Sequence, residues 1–152
     1  MKRLIAALLM FITLTASAEP FKLGFDRTQS GDMYVIYDEK LWEKVGSQDD
    51  WTMYIARGEI SEINGLIIMH TMIVYHNEVK NTFNDEMIKK IFNVGLVECK
   101  GEQIFLMTDF FTDKDHKVIW ISKYEFGEFI SDVAPGTARN KVYNILCGGK
   151  HI

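Results

Sequence analysis

The sequence predicts an α+β fold: a mainly antiparallel sheet with one helix packed against it at the C-terminal end. Three observations carry this. Short runs rich in β-branched and aromatic residues recur along the chain, separated by turns of Gly, Asn and Asp. Helical patterns are too few to cross over between parallel strands, which leaves the antiparallel hairpin as the main connection. The stretch before Gly148 has helical spacing and ends on Cys147, one of only two cysteines.

The first eighteen residues are expected to lie outside the fold. Lys2 and Arg3 precede an apolar run from Leu4 to Thr15, and Ala16-Ser17-Ala18 has the small-residue pattern of a signal-peptidase site. A membrane anchor is the alternative. Twelve residues reach about 18 Å as a helix, short of the roughly 30 Å of hydrocarbon in a bilayer. Cleavage after Ala18 leaves residues 19–152 as a single domain. No cysteine follows the cleavage site closely enough for lipid attachment, and no later apolar run is long enough to span a membrane. Of 17 basic and 21 acidic residues, Lys2 and Arg3 leave with the signal. The mature chain is therefore acidic, which argues against nucleic acid, since phosphate contacts need a basic face.

Export sets the reading of Cys99 and Cys147. An even count in an oxidising compartment favours a disulfide over redox or metal use. Closing a loop of about 49 residues stabilises a fold by about 4 kcal/mol in the chain-entropy model. Two buried free thiols, packed as small hydrophobes, are the alternative. A metal site finds less support, because no Cys-x-x-Cys spacing or nearby histidine pair is present.

The elements follow in order. Residues 19–32 form a loose opening segment with an edge strand at Phe21–Phe25. Met33–Tyr37 is a short strand, and Leu41, Trp42 and Val45 have the spacing of one or two helical turns before a loop at Gly46–Asp50. Trp51–Ala56 is the next strand. A turn-rich stretch follows with Gly58 and Asn64-Gly65, the latter pair tolerating the positive φ of a tight hairpin. Leu66–Asn77 is the longest strand expected, with Ile67, Met69, Thr71, Ile73 and Tyr75 on its core face. Asn84-Asp85-Glu86 has the signature of a helix start, with Lys89 and Lys90 at the helix end and a strand from Val94 to Lys100. Lys100-Gly101-Glu102 turns into the strand Gln103–Thr112, and Asp113–His116 turns into Lys117–Lys123. Tyr124–Asp132 reads as a loop over the sheet. Thr137 caps a helix with Ala138, Val142, Ile145 and Leu146 on one stripe, stopped by Gly148-Gly149.

No catalytic signature emerges: the sequence has no nucleophile elbow, phosphate loop or His-Glu-x-x-His run. His70 and His76 share a strand face but stand about 20 Å apart, too far to share a metal. His116 falls in a turn and His151 in the tail. Met33, Met53, Met69, Met72, Met87 and Met107 are scattered, which suits core filling better than copper(I) binding. Asp113-Lys114-Asp115 lacks the central glycine and bidentate glutamate of a calcium loop. Tyr124, Phe126 and Phe129, beside Glu125 and Glu128, either close the core or offer an aromatic binding patch.

Glu98-Cys99 ahead of two hairpin strands, then an aromatic loop, Pro135-Gly136-Thr137 and a helix closing on Cys147 together resemble the surface-adhesin protein E family of Gram-negative bacteria. The resemblance covers Trp51–Gly148 and is specific over the last fifty residues or so. The family's Trp ahead of the Pro-Gly turn is missing; Phe126 and Phe129 are the nearest aromatics. The resemblance implies about six antiparallel strands, a packed helix and a bridge between Cys99 and Cys147, with Thr137 as cap. It also implies an envelope or surface protein whose relatives adhere to host matrix proteins. Lacking an anchor cysteine, this chain is expected in the periplasm or secreted.

The expected function is that of an exported, non-enzymatic binding protein with a protein partner and no cofactor. The alternative is a periplasmic carrier of a small ligand, haem or copper, using the His70/His76 face and its methionines. A small hydrolase is a third reading, for which no nucleophile–base pair is visible.

Overall fold

The computed structural model describes residues 23–57 and 61–148. The signal segment with its cleavage site, Phe21 of the expected first strand, Gly58, Gly149 and His151 lie outside them. Gly24–Arg27 (β1) and Met33–Ile36 (β2) pair as a separate two-stranded hairpin. The other strands are Trp42–Ser47 (β3), Trp51–Ala56 (β4), Glu62–Ile63 (β5), Leu66–Lys80 (β6), Met87–Glu98 (β7), Gln103–Thr112 (β8), Val118–Lys123 (β9) and Ile130–Asp132 (β10), and the chain closes with the helix Ala138–Cys147 (α1).

The main sheet has eight strands rather than about six. Its path runs β10-β8-β7-β6-β4-β3, with β5 added beside β6 and β9 beside β8. Every pairing is antiparallel. On the side of β8 away from β7, β10 pairs with Gln103–Phe105 and β9 with Thr108–Thr112. β9 and β10 thus share one edge of the sheet, end to end. Two of the strands absent from the sequence reading, β5 and β10, are only two and three residues long, too short for a periodic signal.

Three elements differ from expectation. No helix forms at Asn84-Asp85-Glu86; β7 begins at Met87 and runs unbroken to Glu98. The acceptors that suit an N-cap serve a hairpin turn instead: Asn81 Oδ1 takes the Phe83 N–H at 3.0 Å and Asn84 Oδ1 takes the Glu86 N–H at 3.2 Å. Leu41 ends a single 3-10 turn, and Trp42 and Val45 belong to β3. Their spacing of three puts them on opposite faces of the strand, Trp42 against the core around Phe92 and Val45 in the core around Ile55, with a register slip between Lys44 and Gly46. The segment 124–132 is a loop only in part and ends in β10.

The sheet buries both faces. On one, Met53, Ile55, Ile67, Met69, Val97, Ile104 and Leu106 pack against Val142, Tyr143 and Cys147 of α1. Thr137 caps α1 as expected, its Oγ1 accepting the Asn140 N–H at 3.1 Å. The buried stripe differs from the expected one: Tyr143 and Cys147 are buried, whereas Ile145 is 38% exposed. Cys99 and Cys147 form a disulfide with Cα atoms 5.6 Å apart, closing a sequence separation of 48. Tyr143 Oη donates to the Cys99 carbonyl at 2.6 Å, a second tie at the same place. Gly95 sits where β7 and β8 slip register; a Cβ there would stand 2.7 Å from the Phe105 carbonyl oxygen and 2.8 Å from Met69 Cε. On the other face Leu23, Val35, Met72 and Phe92 are buried, with Tyr37, Trp42, Tyr54 and Phe110 around them.

Candidate functional site

The edge made by β9 and β10 is where apolar surface meets solvent. Trp120 and Ile121 come from β9, Phe126 and Phe129 from the loop after it, and Ile130 from β10. Phe83, 68% exposed in the β6–β7 loop, stacks on Trp120 with centroids 5.2 Å apart and planes 6° apart. Asn84 fixes that loop to the edge strand, its Nδ2 donating to the Ile119 carbonyl at 2.9 Å. Six of the eleven large hydrophobics that are exposed among the described residues therefore lie along this one edge. Lys123, Glu125 and Glu128 are exposed beside them and supply a polar rim.

The aromatic loop divides its side chains between the interior and solvent. Tyr124 turns inward, and its hydroxyl donates to Asp109 Oδ2 at 3.0 Å. Burial, and then the Asp109 carboxylate, raise the Tyr124 pKa above 10.0, so the hydroxyl keeps its proton for this bond. Phe126 stacks on Phe105 at 4.7 Å yet is 59% exposed, and Phe129 is 42% exposed. Phe83, Trp120, Ile121 and Ile130 escaped the sequence reading. The available signal was Val118-Ile119-Trp120-Ile121, apolar on both strand faces in a strand that has only one sheet neighbour.

Behind this edge a polar line crosses the helix-covered face. Thr71 donates to Asn93 Oδ1 at 3.2 Å, and Asn93 Nδ2 donates to Asp109 Oδ1 at 2.7 Å. All three are buried, and with Tyr124 they satisfy one another across β6, β7 and β8. A cavity of about 60 Å³ opens beside them, lined by Thr71, Asn93, Met53, Met69, Val142 and Arg139 among others. That falls well below the several hundred Å³ of a small-molecule site. Arg139 is drawn to Ser131 Oγ of β10, tying α1 to the same edge.

The histidine–methionine reading gathers no cluster. Both ring nitrogens of His76 are engaged, Nε2 with Thr52 Oγ1 at 3.0 Å and Nδ1 with the Asp49 carbonyl at 2.8 Å. Met69 and Met72 pack in the two separate cores, as their opposite faces predict. Asp113 is a turn residue whose Oδ1 accepts from the N–H groups of Asp115 and Lys117, both at 2.9 Å. Among the described residues no group of three or more His, Cys, Asp and Glu is placed to hold a metal ion. No helix among them is long and apolar enough to cross a membrane.

A second polar cluster lies at the far end of the sheet. Lys90 Nζ on β7 is 2.7 Å from Tyr37 Oη and 2.7 Å from His116 Nε2. Burial lowers the Lys90 pKa from 10.5 and raises that of Tyr37 from 10.0.

The described residues thus define an α+β domain: an antiparallel sheet closed by a disulfide-linked C-terminal helix, with one apolar edge. No protein-family model matches the chain, and no curated protein matches it. Its fold is similar to that of Haemophilus influenzae protein E: one crystal form aligns with a TM-score of 0.51 at 9% identity, over 69% of this chain and 92% of that one. A second structure of the same protein aligns with a TM-score of 0.49 at 10% identity, over 78% and 94% of the two chains. At such identity the first alignment establishes a shared fold.

Proposed function

We propose that this chain is an exported, non-catalytic binding domain of the bacterial envelope, working in the periplasm or at the cell surface once residues 1–18 are removed, and that it holds a protein partner on the β9–β10 edge. The observation that carries the proposal is the gathering of Phe83, Trp120, Ile121, Phe126, Phe129 and Ile130 on one sheet edge. Solvent-facing apolar residues clustered inside a polar rim are the usual mark of a protein interface. The fold likeness to protein E supports an adhesin-like role, and the disulfide suits an oxidising compartment.

The test immobilises residues 19–152 and exposes them to envelope extract and to purified host matrix proteins. The triple variant Trp120→Ser, Phe126→Ser, Phe129→Ser runs in parallel. A partner held by the wild type and lost by the variant supports the proposal. A partner retained equally by both removes the edge from it, and turnover of a substrate by the wild type removes the non-catalytic reading.

A further inference from the structure

The turn from β8 to β9 does more than reverse the chain. His116 sits there at φ 68°. Its carbonyl accepts the Val35 N–H of β2 at 2.9 Å, and its ring lies 5.2 Å from the ring of Tyr37, just beyond β2. Its Nε2 meets Lys90 of β7 at 2.7 Å. One histidine therefore touches the hairpin, the segment that follows it and the main sheet. Beneath the cluster Tyr37 packs on Phe92 at 5.1 Å and on Trp42 at 5.9 Å. A lysine ammonium has donors only, so His116 can take part only as a neutral ring, with Nε2 accepting and its proton on Nδ1.

We propose that Lys90, Tyr37 and His116 form an acid-operated clasp: neutral His116 holds the β1–β2 hairpin and Tyr37 over the Trp42–Phe92 face, and protonated His116 lets them go. Protonation turns the accepting nitrogen into a second donor and sets two cations against each other where the hydrogen bond had been. The charged groups around His116 come from each neighbouring element. Lys90 comes from β7, Glu39 from the 3-10 turn, and Asp113 and Asp115 from its own turn. The three carboxylates favour the charged ring, but burial and Lys90 oppose it and prevail, so the pKa falls below the ordinary 6.5. A histidine depressed in the folded state costs nothing above 6.5. As pH drops from 6.5 towards the folded-state value, the open form takes a proton that the closed form refuses, and opening grows by up to about tenfold per pH unit. A second tie between the hairpin and the β8–β9 turn, Asp32 to Lys117 at 3.0 Å, survives that window, because Lys117 holds the Asp32 pKa below 3.8.

Hydrogen exchange resolved by peptide tests the clasp between pH 7.5 and pH 4.5, after correction for intrinsic rates. The expected result is exchange in residues 24–37 that quickens as pH falls below 6.5, by up to about tenfold per pH unit, with the strands around Val97 and Ile104 unchanged. His116→Asn tolerates the left-handed backbone and still offers an acceptor; it should remove the pH dependence. Lys90→Met removes the opposing charge and should weaken it. NMR titration of His116 in the unaltered protein gives an independent reading, with a midpoint expected below 6.5. Equal hairpin exchange at both pH extremes, pH dependence that persists in His116→Asn, or a midpoint at or above 6.5 overturns the clasp.

Discussion

The frame around Cys99–Cys147 and the edge around Trp120–Phe129 are built on opposite rules. In the frame, Val97, Ile104, Val142 and Cys147 are at most 1% exposed, and a covalent bond and a buried tyrosine hydrogen bond close it. At the edge, Phe126 is 59% exposed and Phe129 is 42% exposed, and their rings gain only part of the burial their area offers. The opposite edge of the sheet makes the contrast sharper. There β3 carries Glu43 and Lys44, a register slip, and an ion pair from Glu43 to Arg57, which are ordinary protections against stray strand pairing. One edge is guarded and the other left apolar, so the residues that stabilise the fold differ from those proposed to recognise a partner.

That separation can be broken residue by residue. The largest loss of stability is expected for Phe92→Ala, which empties a fully buried site between Tyr37 and Trp42 and should cost about 3–5 kcal/mol in urea unfolding. Replacing both Cys99 and Cys147 with Ser should cost about 2–5 kcal/mol, measured in the same way without reductant. Gly95→Ala drives a methyl into the Phe105 carbonyl and should cost about 1–3 kcal/mol. Phe126→Ser and Phe129→Ser should stay within about 0.5 kcal/mol of the parent, since little packing is lost. An edge substitution as costly as Phe92→Ala would show that these rings belong to the core after all.

Much of the frame was legible because its signals are local and strong. Trp51–Ala56 and Gln103–Thr112 have the bounds their residue types predicted, Asn64-Gly65 turns with φ values of 51° and 81°, and Thr137 caps its helix. The misses are places where one side-chain property serves two structures. Asn and Glu near residue 84 accept backbone N–H groups equally well at a helix start or in a turn, and only the pairing of β7 with both β6 and β8 decides between them. Tyr143 was passed over for Ile145 because hydropathy undervalues a tyrosine whose hydroxyl has a buried partner. The edge was half legible: the aromatic loop was visible, but the stacking of Phe83 on Trp120 joins residues 37 apart in sequence.

The most direct test compares binding in three proteins that differ only in which region is altered. A partner captured by the parent should bind the Cys99→Ser, Cys147→Ser variant with unchanged affinity at a temperature where both are folded. It should bind the Trp120, Phe126, Phe129 triple serine variant more weakly by about 2 kcal/mol or more, roughly thirtyfold. Equal affinity for the parent and the triple variant would contradict the account, because recognition would then lie away from the only edge that the fold leaves apolar among its described residues.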